Sequence, residues 1–316
     1  MKDFLLNKSN KSETFAYISL IIATVLYGTT LTAMKVCLNY YSEVEMITLR
    51  MIISSMLFLP FFLTVYKDLK IDKIDYKFIF LMTICEPCLY FLFETHALRF
   101  TSSGQAGVVS AMEPILIIIF AKLILKEHLP KIAYFGVFLG IIGAIVLSLG
   151  SDVNELAPNP LLGNFLELCA EILTVTSIIT TKYLMDKYPP FLLAGVQVVL
   201  GGVFFMILNA LQGGSFVPVF NESFIILVYL GVLTVVSYAL YNYGICTLSA
   251  SKASPFLYLL PISSIIFGCF FLGESFNLLQ IFACLLIFVG IYVSQIKDKR
   301  KLVKLRQFLR PSKISK

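Results

Sequence analysis

Two Glu-Pro pairs, Glu86-Pro87 and Glu113-Pro114, lie inside apolar runs long enough to cross a bilayer. An ionisable side chain at membrane depth costs about 2.5–3.5 kcal/mol on insertion scales, and the proline beside it removes a backbone hydrogen bond. Both costs are tolerated where the segment faces protein or a water-filled cavity and not acyl chains. The chemistry open to such a carboxyl group is non-covalent. Ionised, it binds a cation or an amine; in low dielectric it can also take up and give back a proton.

Other polar side chains share this depth. Glu86, Tyr90, Glu94 and Ala97 follow helical spacing and predict one stripe. Glu113 stands at a similar depth from the other end of the next run, so the two Glu-Pro acids are expected to share a cavity. Asn164, Glu167, Glu171 and Thr174 predict a second stripe. Tyr238, Tyr241 and Asn242 lie in one later run, and Ser254, Tyr258, Pro261 and Ser264 in the next.

The candidate substrate-binding or proton-coupling set is therefore Glu86, Tyr90, Glu94, Glu113, Glu171, Tyr238, Tyr241, Asn242 and Tyr258. Glu94 and Glu167 are placed closer to the surface than Glu86, where an acid that joins helices is the plainer expectation. Pro87, Pro114 and Pro261 free the carbonyls of Thr83, Ser110 and Leu257, which makes them candidate hinges. Acids outnumber bases in these runs, which favours a positively charged or zwitterionic solute over an anion.

Arg50 has Glu43 and Glu45 nearby in sequence, and a local ion pair is expected; the alternative is that it holds a substrate carboxylate. Glu127 and Glu274 end equivalent runs and are expected to be turn residues. The seven cysteines are scattered through or beside apolar runs and are expected to be small buried hydrophobes, Cys85-x-x-Cys88 included. With only two histidines and no ligand cluster, phosphate loop or nucleophile motif, no metal, cofactor or enzyme activity is expected.

The elements that must position these groups are set by composition. Of 316 residues, 58% are apolar and 14% charged, with a mean hydropathy of +0.87; soluble domains carry roughly 25% charged residues. An all-α polytopic membrane protein is expected. Ten apolar segments run at 15–36, 45–66, 77–98, 104–125, 132–149, 161–183, 190–211, 223–246, 253–272 and 276–295. No removable signal sequence is expected, because the hydrophilic start leads directly into the first segment. Gly136, Gly140 and Gly143 predict close helix packing within the monomer or at a homodimer face.

Basic residues fix an expected orientation. Placing the N-terminus in the cytoplasm puts 22 of the 25 basic residues on that side, leaving Lys35, Arg50 and Arg99. Both termini are then cytoplasmic, in a plasma membrane of bacterial inner-membrane type. The basic tail beyond residue 297 either lies on anionic lipid or is simply solvated. The net charge of +6 is absorbed by this topology, so nucleic acid is not an expected partner.

A repeat underlies the ten segments. At a constant offset of 147 residues, Lys35 matches Lys182, Pro114 matches Pro261, Glu127 matches Glu274 and Gly143 matches Gly290, with Arg50 opposite Gln197. The expected parts are a cytoplasmic segment 1–14, a first five-helix repeat 15–149, a linker 150–160, a second five-helix repeat 161–296 and the tail 297–316. An odd number of spans per repeat inverts the second relative to the first, an architecture of secondary transporters.

One pattern occurs twice: a small-residue turn, a proline in the next span, Leu-x-Glu and a Gly-rich fifth span. It reads SSGQAGVVSAMEPILIIIFAKLILKEHLPKIAYFGVFLGIIGAIV and SASKASPFLYLLPISSIIFGCFFLGESFNLLQIFACLLIFVGIYV. In this it resembles the EamA-like branch of the drug/metabolite transporter superfamily, over nearly the whole chain. The resemblance implies a ten-helix inverted-repeat carrier, often an exporter of amino acids or related metabolites.

The expected function is a secondary transporter that moves a small zwitterionic or amine-bearing metabolite by alternating access, with proton coupling as a concrete option. The alternatives are an importer or exchanger of another solute on the same fold, or a membrane sensor or assembly component. The orientation is checked with alkaline phosphatase fusions, which should be active after Glu155 and inactive after Lys70; the reverse pattern would invert the topology.

Overall fold

The computed structural model describes residues 2–65, 71–124, 131–185, 187–247, 256 and 259–294, and they are helical almost throughout, with no strand among them. The helices are α1 (Lys2–Cys37), α2 (Glu43–Val65), α3 (Tyr76–Thr83), α4 (Tyr90–Phe100), α5 (Ser103–Ser110), α6 (Glu113–Ile124), α7 (Lys131–Leu149) and α8 (Pro160–Met185). They continue as α9 (Pro190–Leu211), α10 (Glu222–Thr247), α11 (Leu259–Leu272) and α12 (Leu278–Ser294). Pairing α3 with α4 and α5 with α6 as two broken spans gives ten segments in order.

Seven of these are long and apolar enough to cross a membrane; α11 and α12 are shorter apolar helices. α2 has the length but carries Glu43, Glu45 and Arg50. The large exposed apolar side chains, such as Phe138 on α7 and Phe270 on α11, occupy the outer faces where acyl chains would lie.

Packing follows the repeat. α1 runs along α10, and its counterpart α8 runs along α3 and α4; α1 also meets α11, as α8 meets α5 and α6. α2 packs on α9 and α7 on α12, each a helix against its own repeat mate, and α5 packs on α11, the mate of its continuation α6. These pairings are those of two inverted five-helix halves that interlock.

Glycine sets the closest of these contacts. A Cβ on Gly136 would lie 2.3 Å from the Ser294 nitrogen and 2.6 Å from the Gly290 carbonyl, so α7 and α12 touch backbone to backbone. The small-residue face of α7 is thus used within the monomer. The proline breaks differ in kind. Pro114 stands in the first turn of α6, after α5 has ended at Ser110, and Pro261 stands in the first turn of α11.

Asp75 ties the two halves at the expected cytoplasmic edge. It is fully buried and accepts hydrogen bonds from Lys187 Nζ at 2.9 and 3.0 Å and from Tyr188 OH at 2.8 Å. The Asp75 carboxylate holds the Lys187 ammonium above the ordinary lysine range. The pair is therefore intact between the two values: it is lost as pH falls through the lowered Asp75 value and as pH rises through the raised Lys187 one.

Glu127, Lys67, Lys70, Lys126, Lys252, Ser254, Tyr258 and the tail lie outside the described residues, and so do their expected roles. Gly136→Leu should force α7 off α12 and cost about 1–3 kcal/mol or more. Loss of a monodisperse peak and a lowered melting temperature in detergent would show this; an unchanged profile would refute the contact.

Candidate functional site

The site begins at a break in the backbone. Pro87 has no N–H to donate, and residues Ile84–Leu89 form a wide π-type turn between α3 and α4 in which Glu86 is extended, at φ −143° and ψ 119°. Gln197 on α9 donates from Nε2 to the Glu86 carbonyl at 2.8 Å and to Ser177 Oγ at 3.2 Å. Tyr238 on α10 donates from its hydroxyl to Glu86 Oε1 at 2.9 Å. An acid of the first repeat is thus held by three helices of the second.

Aromatic side chains frame it. Tyr27 on α1 meets Tyr238 and Tyr241 edge-on, at ring-centroid distances of 6.3 and 6.0 Å. Glu113, at the start of α6, lies within electrostatic reach of Glu86, Tyr27 and Tyr241. Glu86, Glu113, Tyr27, Tyr90, Tyr238 and Tyr241 all lie inside the bundle, yet each retains accessible surface. They gather where the two repeats meet, with Glu86 and Glu113 within electrostatic reach of one another.

Behind this cluster is a drier acidic layer. Glu94 accepts from Tyr90 OH at 2.6 Å, the i, i+4 contact that the stripe predicts, while its Oε2 is buried without a partner. Glu167 accepts from Ser110 Oγ at 2.6 Å, and its Oε2 is likewise unpartnered. Glu171 is buried within reach of Glu113, Glu167 and Glu94. Glu94 and Glu167 are 5% and 0% exposed, so both acids face the interior of the bundle where α4 packs on α8.

The expected local ion pair of Arg50 is also corrected. Glu43 pairs with Arg99 Nε at 3.1 Å and with His96 Nδ1 at 3.0 Å, and Glu45 accepts from the backbone N–H groups of Ser42 and Ser215. Arg50 is buried in the bundle: it shares a helix face with Glu43, seven residues back, but stands two turns, about 10 Å, along the axis from it, and Glu45, five residues back, is on another face. Its Nε donates to Thr234 Oγ1 at 3.0 Å, Nη1 lies 3.1 Å from Met34 Sδ, and the guanidinium sits 4.5 Å over the Phe91 ring.

The expected outer end is closed by bonds within the first repeat, to the linker and across the repeats. Lys35 donates to the carbonyls of Leu98, Thr101 and Leu156. Glu274 is more than a turn residue: it caps α5, accepting from Ser103 N at 2.6 Å, Ser103 Oγ at 2.8 Å and Gly104 N at 2.9 Å. A cavity of about 370 Å³ opens beside it, bordered by Gln105, Asp152, Glu155 and Glu274. It is separate from the central acids.

The structure thus gathers Glu86, Tyr90, Glu94, Glu113, Glu171, Tyr238 and Tyr241. Tyr258 lies outside the described residues, and Asn242 is placed only by its backbone in α10. Tyr27, Ser110, Ser177 and Gln197 were absent from the expected set. Gln197 carried a signal, since it is the repeat mate of Arg50; a lone hydroxyl in an apolar run carries little. Among the described residues no group of three metal-ligating side chains is present.

The model of the EamA-like transporter family matches residues 14–149 and 161–295. The chain is 24% identical over 297 residues to the uncharacterized transporter YetK of Bacillus subtilis (strain 168), covering 92% of this chain and 89% of that protein. It is 25% identical over 282 residues to an uncharacterized transporter of Archaeoglobus fulgidus, covering 88% and 97%. A crystal structure of a protein superposes with a TM-score of 0.63 at 16% identity, over 89% of this chain and 97% of the other. At that identity the likeness shows the fold alone.

Gln197→Leu removes the donor from the Glu86 carbonyl and should destabilise the protein by about 1–3 kcal/mol. Thermal unfolding in detergent measures this; an unaltered melting temperature would mean that Gln197 does not hold the break.

Proposed function

The chain belongs to the EamA-like transporter family, and from that premise we propose that it is a secondary carrier for a small zwitterionic or amine-bearing metabolite. Membrane transport is the activity of the family; the solute, direction and coupling are the proposal. The observation that carries it is the gathering of Glu86 and Glu113 with Tyr27, Tyr238 and Tyr241 where the two repeats meet, each of the five keeping accessible surface. Carboxylates there favour an ammonium group, and the tyrosine faces favour a cation beside them.

Alternating access follows from the architecture. Helices of one half interlock with helices of the other, and the break at Ile84–Leu89 and the first-turn prolines of α6 and α11 supply places where a helix can bend. Export from a bacterial-type cytoplasm, with both termini inside, is the proposed direction. The buried Glu94, Glu167 and Glu171 are the proposed stores for a coupled proton, since each is a carboxyl group in a dry setting with few fixed donors.

Solute counterflow in proteoliposomes tests the reading, with amino acids, polyamines and nucleosides as the loaded panel. Amine-bearing solutes should exchange, and Glu86→Gln should lower the rate by about 10- to 100-fold, the loss of one charged hydrogen bond. Exchange confined to solutes without an amine, or an unaffected Glu86→Gln variant, would contradict it.

A further inference from the structure

The cavity at the expected outer end has a wall whose hydrogen bonds are incomplete. Gln105 on α5 is 3% exposed and lines it, and its Oε1 accepts from Thr101 Oγ1 at 3.3 Å, Ser151 Oγ at 2.8 Å and Asn164 Nδ2 at 3.1 Å. The amide is thus anchored by its oxygen, while its Nε2 meets no acceptor among the described residues. Ser102, 6% exposed, lines the same cavity; its Oγ accepts from the Gln105 N–H at 3.2 Å and donates to no group among the described residues. A buried donor without an acceptor costs about 1–3 kcal/mol.

The linker side carries the opposite need. Asp152 and Glu155, both exposed, border the cavity, and no basic side chain lines it. Asp152 Oδ2 accepts from Asn277 Nδ2 at 3.0 Å, and the Glu155 carboxylate has no hydrogen bond among the described residues. Glu274 adds a third carboxylate to the wall, already filled by Ser103 and Gly104, and Lys35 is occupied by three carbonyls. Gly273, at φ 67°, turns the chain beside this wall with nothing within 4 Å of where a Cβ would stand. At about 370 Å³ the cavity lies at the small end of ligand pockets, which run from roughly 300 to 1,000 Å³.

The two needs define an occupant. Buried amide and hydroxyl donors require an oxygen acceptor, and exposed carboxylates with no base beside them require a cation. A carboxylate is the wrong acceptor here, because it would stand beside Glu274 with no cation lining the cavity. We propose that the outer cavity is a second binding site, for a small hydroxylated amine of the amino-sugar type, with its hydroxyl oxygens on Gln105 and Ser102 and its ammonium group at Asp152 and Glu155. The site stands apart from the central acids and does not depend on which solute they bind. Its walls come from α5, the linker and the turn after α11, so the occupant bridges both repeats.

Equilibrium dialysis of the full chain in detergent, with radiolabelled glucosamine as probe, tests this. Competitors are N-acetylglucosamine, which lacks the charge, cyclohexylamine, which lacks the hydroxyls, and glucosaminuronic acid, which adds a carboxylate. Each should compete at least about 10-fold more weakly than unlabelled glucosamine, the loss of one charged or several neutral hydrogen bonds. Glu155→Gln should weaken glucosamine by about 3- to 10-fold, a smaller loss because the carboxylate is exposed. Ser275→Phe, at an exposed residue of the cavity wall, should abolish binding by filling the space, and Glu86→Gln should leave it unchanged.

A wild type that binds N-acetylglucosamine, cyclohexylamine or glucosaminuronic acid as tightly as glucosamine overturns the assignment of donors and charges. Binding that Glu86→Gln removes and Ser275→Phe keeps would put the amine at the central acids, which overturns the outer site and leaves the carrier reading standing. No saturable glucosamine binding to the wild type would mean that the cavity holds water alone, and overturns the site as well. The wild-type ranking decides even where a variant fails to fold.

Discussion

The structure depends on how a carboxylate is kept at the centre of an apolar bundle. Placing an ionisable group there costs about 2.5–3.5 kcal/mol on insertion scales, and one hydrogen bond to a charged group returns about 1.5–3 kcal/mol. Glu86, Glu94 and Glu167 each receive one hydroxyl donor, from Tyr238, Tyr90 and Ser110. The cost and the return are nearly equal. An interior that only just accommodates its acids is one in which a proton or a solute can change the balance, and that is what a carrier needs.

The rest of the fold protects this centre. Pro87 breaks the helix, Gln197 takes up the carbonyl that the break exposes, and Tyr238 meets the side chain. Away from the centre the contacts are tight and self-paired: α7 against α12 through glycine, and the expected outer end through Lys35 and the Glu274 cap on α5. The two halves are therefore firm at their edges, with polar groups concentrated between them. The broken and proline-started helices, α3–α4, α5–α6 and α11, all belong to that middle region.

Much of this was legible in the sequence. The constant offset of 147 residues gave the repeat, and the odd span count gave the inversion; both follow from chain geometry and need no tertiary detail. Tyr90 and Glu94 were legible as neighbours because i, i+4 contacts survive within α4. What failed was the choice of partners across the fold: sequence nearness paired Arg50 with acids that bond elsewhere. Tyr27 and Ser177 could not be singled out, because a single polar group in an apolar helix becomes informative only when its partner on another helix is known.

The central claim is that the space around Glu86 is a solute path reached in turn from the two sides of the membrane. Tyr27→Cys, at a side chain that keeps accessible surface beside Tyr238 and Tyr241, in a background free of other cysteines, tests it most directly. Sealed vesicles of each orientation are treated with a membrane-impermeant maleimide, with and without an amine-bearing solute that exchanges. The account predicts labelling from both sides and suppression of both by the solute. Labelling from one side only, or none that the solute affects, would contradict it.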